Sequence, residues 1–239
     1  MSKNGLQEGL MQTHKSLQLI IDSLPLLFQG ACMTIQVALG GIAIGLVFGI
    51  LVGIIQSKKL KIFGLSQVLD FYILVMRGTP IYVQLLLVYY ALPDILGINL
   101  SPFAAGVITI GFNSVAYIAE TVRGGMNAIF DGQWDACYVL GYSLPATLYH
   151  IIVPQVIRAI LPGLMNELIV LVKETSIIST IGLLELTKIG TNINARALDP
   201  ITIYLAIALF YLFMTSILAL GARFLETRFL EKGYAHDTQ

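Results

Sequence analysis

From residue 26 to residue 55 the chain carries no charged side chain. About 20 apolar residues suffice to cross the hydrocarbon of a bilayer, so this run is long enough to span with tilt. Similar runs follow at 65–92, 103–122, 156–181 and 201–222, which predicts five transmembrane helices in an all-α membrane protein. The second run is interrupted by Arg77-Gly78-Thr79-Pro80, where a missing backbone donor and a glycine predict a break or kink. Upstream, in residues 1–24, Leu6, Leu10, Leu17 and Ile21 recur at helical spacing among Gln7, His14, Lys15 and Gln18. That segment reads either as an amphipathic helix on the membrane surface or as a loosely ordered lead-in. The expected division is therefore an N-terminal segment 1–24, a transmembrane domain 25–226 and a tail 227–239. A polar loop covers 182–200, and the longest polar interruption is Gly132–Pro154.

Composition agrees. The 239 residues are 56% hydrophobic and 12% charged, with mean hydropathy +0.82, where soluble domains carry roughly 25% charged residues. Too few polar side chains exist to coat a soluble globule. Net charge is zero, and no basic run interleaved with aromatics points to nucleic acid. His14, His150 and His236 are scattered, without metal-ligand spacing, and Cys32 and Cys137 fall in distant parts of the topology. No GxxxxGK[ST] loop is present, so no nucleotide hydrolysis, bound cofactor or metal is expected of this chain itself.

Charge also sets the orientation. With five spans, Lys58, Lys59, Lys61, Arg123, Arg158, Arg223, Arg228 and Lys232 fall on one side, and Lys3, Lys15, Lys188 and Arg196 on the other. The positive-inside rule then places the N-terminus outside, the C-terminus in the cytoplasm and Gly132–Pro154 in the cytoplasm.

Two patterns lie inside the spans. Gly41, Gly45, Gly49 and Gly53 repeat every four residues, a poor choice for helix propensity but a groove that a second helix can press into. This predicts a packing seam, within the subunit or across a dimer. Polar residues are costly in lipid and tend to face a cavity or a partner. Arg77 with Gln84, Asn113 with Tyr117 and Glu120, and Glu167 with Glu174 each share helical spacing, and Asn166 adjoins Glu167. Three such stripes point to a wet path. The competing reading is internal pairing of Arg77 or Lys173 with Glu120, Glu167 or Glu174. Paired acids suit a cationic or zwitterionic solute, and an arginine fork suits a carboxylate.

Gly132–Pro154 reads GQWDACYVLGYSLPATLYHIIVP. Asp131 or Gln133 can open a short helix, Gly141 fits its C-terminal corner, and Ser143 with Pro145 can start a second helix. Pro154 marks the re-entry towards the fourth span. Asp135-Ala136-Cys137, Gly141, Ile151 and Val153-Pro154 have the spacing of E-A-A-x3-G-x9-I-x-L-P, so the stretch resembles the EAA loop of ABC importer permeases. Aspartate, cysteine and valine replace the pattern's glutamate, alanine and leucine. Arg77-Gly78-Thr79-Pro80 with Gln84-Leu85 resembles the RGTPxxxQL motif of polar amino acid permeases. Ala116-Tyr117-Ile118-Ala119-Glu120 with Arg123-Gly124-Gly125 is similar to their AYxAExxRGG run, and Lys173-Glu174-Thr175-Ser176 with Ser179 to their K-x-[ST]-S-L-x-S segment.

The resemblance implies a permease subunit of a histidine/glutamine/arginine type ABC amino acid importer, multi-pass in the bacterial inner membrane, with the type I importer fold. Two cytoplasmic ATPase subunits carrying ATP-Mg would grip the EAA loops of a permease pair, two copies of this chain or this chain with a relative. An extracytoplasmic binding protein would deliver the amino acid. Asp135, Ala136, Cys137, Gly141 and Leu144 are then the expected ATPase-docking residues. Arg77, Gln84, Asn113, Tyr117, Glu120, Asn166, Glu167, Glu174 and Thr175 are the expected substrate path. An ion-coupled secondary transporter would instead show an internal repeat with paired broken helices, and a non-transporting scaffold would leave the polar stripes unexplained.

Overall fold

The computed structural model describes the backbone of residues 3–234 and the side chains of residues 14–228. Its described residues are helical, without strands. The first helix, α1, runs unbroken over Lys3–Ile55. After a tight turn come α2 (Leu65–Gly78) and α3 (Ile81–Leu86), the latter continuing through a π turn into α4 (Leu92–Leu96). Then follow α5 (Pro102–Ala128), α6 (Asp131–Val139) and α7 (Leu144–Thr147). A second π turn joins α7 to α8 (Val153–Glu174), which tightens into a 3-10 segment, Thr175–Ile181. The described residues end with α9 (Leu186–Ala197) and α10 (Pro200–Tyr234).

The glycine repeat packs within the subunit. A Cβ on Gly41 would meet Ile110, on Gly45 Ser114, on Gly49 Ile118 and on Gly53 Val122. Both numbers rise together by four, so α1 and α5 lie parallel. Gly111 returns the fit by receiving Ile44. Glycine removes the side chain that would hold the two backbones apart, and dispersion between close-set atoms replaces the hydrophobic drive that lipid cannot supply.

Parallel packing has a topological consequence. The turn after α1 lies beside the end of α5, where the Lys58 N–H donates to Asn127 Oδ1 at 2.8 Å. The chain must therefore recross the bundle before α5 can begin, and only α2 to α4 are available. These form a pair bent by 104°, so the pair is a broken span and not a loop returning to the same side. With it, the described residues make five helical crossings, four of them single helices long and apolar enough to span. α8 then runs antiparallel to α5, with Gly125 against Ile160 and Gly163 against Thr121. One buried cluster joins α1, α3, α5 and α8 around Ile110, Ile118, Leu85 and Leu171. Another joins α1, α8, α9 and α10 around Leu27, Leu186, Ile203 and Ile207.

Three expectations change. No helix boundary separates residues 1–24 from the first span, because α1 passes straight through Pro25. Leu19, Ile20 and Leu27 pack there against the cluster shared with α9 and α10, and this contact holds the helix across the missing donor. The part of the expected 1–24 segment that precedes residue 14, and most of the tail 227–239, have side chains outside the described residues. Arg77 and Gln84 form no single stripe, since the bend puts them on different helices. Finally, Pro154 marks no break ahead of the fourth span. The chain is continuously helical from Leu144 to Ile181.

The reason lies in the two π turns. A proline ring clashes with the carbonyl four residues back and cannot donate to it. Before Pro154 the turn Leu148–Ile152 widens, with the Val153 N–H donating to Leu148 O. Before Pro93 the turn Leu87–Ala91 widens in the same way, with the Leu92 N–H donating to Leu87 O. One wide turn ahead of each proline makes room for the ring, and the helix continues.

The seam predicts a sharp contrast between glycines. A Cβ at position 49 would stand 2.7 Å from Ile118 Cβ and 3.0 Å from Val115 O, whereas one at position 124 would meet nothing within 4 Å. Gly49→Ala should cost about 1–3 kcal/mol by overpacking, read as a lower thermal unfolding midpoint in detergent. Gly124→Ala should leave the midpoint unchanged or raise it.

Candidate functional site: a broken span and a cytoplasmic corner

Breaking a helix inside a bilayer strands backbone carbonyls where no water can reach them. Two predicted path residues satisfy these carbonyls. Gln84 Nε2 donates to Met76 O at 2.9 Å, Thr79 O at 3.2 Å and Thr79 Oγ1 at 2.9 Å. Asn113, on α5, donates to Met76 O at 3.1 Å and to Gln84 Oε1 at 3.0 Å. Both side chains are buried. Their polar atoms staple α2 to α3 and α5, and the RGTPxxxQ spacing is what brings Gln84 back onto the end of α2.

Beside this staple, on the open side, Arg77, Tyr117, Glu120 and Arg123 converge. Glu120 accepts from Arg123 at 3.1 and 2.6 Å and pairs with Arg77 at 3.5 Å. The Arg77 guanidinium also sits 5.4 Å from the centre of the Tyr117 ring, a cation–π distance. A groove lined by Asp70, Ile73, Leu74, Arg77, Gly78 and Glu120 opens there. Charged groups left half-exposed in a span require water or a partner, so this face of α2 and α5 is the polar face of the subunit. The internal pairing weighed against a path is thus present for Arg77 and Glu120.

The other predicted path residues lie on α8. Asn166 is exposed, and Glu167 and Glu174 are half-buried. Thr175 is fully buried and donates to Val172 O at 2.9 Å, where α8 tightens. No hydrogen bond or ion pair among the described residues joins this group to the Arg77 cluster.

The cytoplasmic corner is a rigid object. α6 ends in a paired cap, with the Tyr142 N–H donating to Cys137 O and the Gly141 N–H to Tyr138 O, both at 3.0 Å. This arrangement needs a left-handed residue, and Gly141 has φ +78°. Ser143 takes the cap position of α7, but its side chain makes no capping bond. α6 is braced against the bundle by Lys59–Asp131 at 3.1 Å, by Gln155 Nε2 donating to Gln133 Oε1 at 2.9 Å, and by Trp134 packed on the main core. Outward it presents Tyr138, Val139, Leu140, Leu144 and Tyr149, all exposed, and Tyr138 is 85% exposed. Asp135 and Ala136 lie on the same exposed surface. Cys137 does not: at 4% exposure it faces inward, so the expected docking set loses it. Tyr138 and Val139 share that exposed surface. The family pattern leaves those positions open, although two large apolar residues on a predicted cytoplasmic helix are themselves a signal.

Glu185 was read only as part of a polar loop. It is fully buried at the opposite end of the bundle. There its carboxylate caps α9, accepting from the Thr187 N–H at 2.9 Å, the Lys188 N–H at 2.7 Å and the Tyr211 hydroxyl at 3.0 Å.

A helical bundle with a polar break in one span and a braced, exposed apolar corner at one end fits the class of membrane permeases. Residues 45–231 match the family described as the binding-protein-dependent transport system inner membrane component, and the chain belongs to that family. It is 40% identical over 210 residues to the glutamine transport system permease protein GlnP of Escherichia coli K12, covering 86% of this chain and 94% of that protein. It is 36% identical over 163 residues to the arginine transport system permease protein ArtQ of Bacillus subtilis, covering 68% and 74%. Among solved structures, an amino acid ABC transporter crystallised with histidines superposes with TM-score 0.81 at 35% identity, covering 87% of this chain and 96% of that one. The inward-facing MetNI methionine ABC transporter, at 16% identity and TM-score 0.76, shares the fold. The chain is a permease subunit of an ABC importer of the bacterial inner membrane, a class that works with an ATPase and a binding protein.

Two outcomes follow from this geometry. Gln84→Leu should destabilise the protein by about 1–3 kcal/mol, the cost of stranding buried carbonyls, so its thermal midpoint should fall together with transport. A transport loss at an unchanged midpoint would instead place Gln84 in the path. Burial holds the Glu185 carboxyl above its ordinary value of 4.5, against the lowering pull of its hydrogen bonds. A raised folded-state value means that its stabilising contribution is complete below the unfolded value and is lost as pH rises through the folded one. As pH rises from the ordinary carboxylate range through the raised folded value, the thermal midpoint of the native protein should therefore decline relative to Glu185→Gln.

Proposed function

We propose that this permease imports a polar or basic L-amino acid, of the arginine, histidine and glutamine class, powered by ATP bound with Mg on a separate ATPase subunit. The chain carries no hydrolytic site of its own in this reading. It works as one half of a permease pair, two copies or a copy and a relative, with two ATPase subunits inside and an amino acid-binding protein outside. The names of the relatives at 40% and 36% identity support the cargo class.

The single observation that carries the coupling role is the exposed apolar surface on a corner that cannot bend freely. The ATPase grips Asp135, Ala136, Tyr138, Val139, Gly141 and Leu144. Displacement passes through the α6 braces into the continuous helix from Leu144 to Ile181, 38 residues long and roughly 57 Å from end to end. A rod of that length carries motion at the cytoplasmic face across the whole membrane. α8 then moves against α5 along the small-residue contacts at Gly125 and Gly163, a bistable packing of the kind that alternating access requires. Arg77, Tyr117 and Glu120 on one side, and Asn166, Glu167 and Glu174 on the other, line the path, while Thr175, fully buried, holds the tightened end of α8. Arg77 and the carboxylates offer both signs of charge to a zwitterion, and its side chain is selected where the acids outnumber the bases.

Gly141→Pro tests the docking role, because proline fixes φ near −65° where the corner needs +78°. Co-purification of the ATPase with this variant, and with Tyr138→Asp, should fall at least tenfold while the permease stays folded in detergent. An undiminished complex with both variants would place the docking surface elsewhere.

A further inference from the structure

The turn between α1 and α2 is built to hold a particular surface outward. Leu60 packs on the main core, and Gln56 Nε2 donates to Ser66 O at 3.0 Å and to Asp70 Oδ1 at 2.9 Å. With the Lys58 N–H fixed to Asn127, the tip of the turn has no freedom to fold inward. It presents Lys58, Lys59 and Lys61, all exposed, with Ile62 at 52% and Phe63 at 89% exposure. Neither the transport path nor the docking corner uses Ile62 or Phe63.

We propose that this tip is a docking site for anionic phospholipid, with headgroup phosphates on the lysines and the acyl region over Phe63 and Ile62. Three observations favour lipid as the occupant. The tip continues directly into exposed apolar residues of α2, Leu65, Val68 and Phe71, which a bilayer covers along a span. The charge is complementary: three cations stand within four residues. Two of them are engaged, Lys59 with Asp131 at 3.1 Å and Lys61 with Asp70 at 3.4 Å. Both pairs are solvent-exposed, however, and such pairs are weak enough for a phosphate to compete. The lysine stems and an aromatic ring together match the layering of a membrane interface, apolar below and charged above. Near an anionic surface each lysine adds roughly fivefold in affinity.

The test uses the full-length permease with its ATPase subunit, reconstituted in phosphatidylcholine vesicles. The native chain contains one tryptophan, Trp134, so its signal is subtracted from that of a Phe63→Trp variant. Brominated phosphatidylglycerol should quench residue 63 at least threefold more than brominated phosphatidylcholine at equal mole fraction. Added salt should reduce that preference in the unmodified turn, and combined Lys58→Gln, Lys59→Gln and Lys61→Gln changes should abolish it while both lipids still quench. Equal quenching by the two lipids with the lysines intact would overturn the proposal. So would protection of residue 63 from both lipids with a spectral shift only when the ATPase is added, which would assign the tip to the protein partner.

Discussion

Everything in this subunit is hung on the close approach of α1 to α5. Gly41, Gly45, Gly49 and Gly53 let the two backbones meet along four successive turns, with Ile110, Ser114, Ile118 and Val122 filling the places where side chains would have stood. Because the two helices are parallel, the chain between them must cross the membrane once in the other direction. That crossing is the broken span, and its break carries the polar groups. A packing constraint in the first span thus dictates where the one bent crossing among the described residues lies and which face it turns to water.

The break itself illustrates how a membrane protein tolerates a cost. Stranded carbonyls at Met76 and Thr79 are met by Gln84 and Asn113, buried amides with no charge to desolvate. The charged residues are kept on the open side, where Glu120 is shared between Arg77 and Arg123. Polar residues within spans therefore divide by burial: the buried Gln84 and Asn113 hold structure, and the half-exposed Arg77 and Glu120 face an open groove. A sequence reading that treats all intramembrane polar residues as one path merges groups that the fold keeps apart.

Much of this was legible in the chain. Apolar runs gave the spans, lysine and arginine asymmetry gave the sides, and the glycine repeat announced a seam, though not whether its partner was internal. Gly141 was readable as a corner because a helix end followed by a short polar turn calls for a left-handed residue. Pro154 misled, because proline stops a helix in isolation while a widened turn carries it through. The inward face of Cys137 was hidden for a different reason: spacing along a short helix does not say which side meets the bundle. Glu185 escaped notice because glutamate is an uncommon N-cap, and its burial depends on Tyr211, 26 residues away.

The central claim is that energy enters this permease through the cytoplasmic corner from an ATP-driven partner. Uptake of labelled arginine, histidine and glutamine into vesicles holding the permease, its ATPase and the binding protein measures it directly. The account predicts accumulation of at least one of the three only when ATP and the ATPase are on the side of the corner, and none from a proton or sodium gradient alone. Accumulation driven by an ion gradient without the ATPase would contradict it.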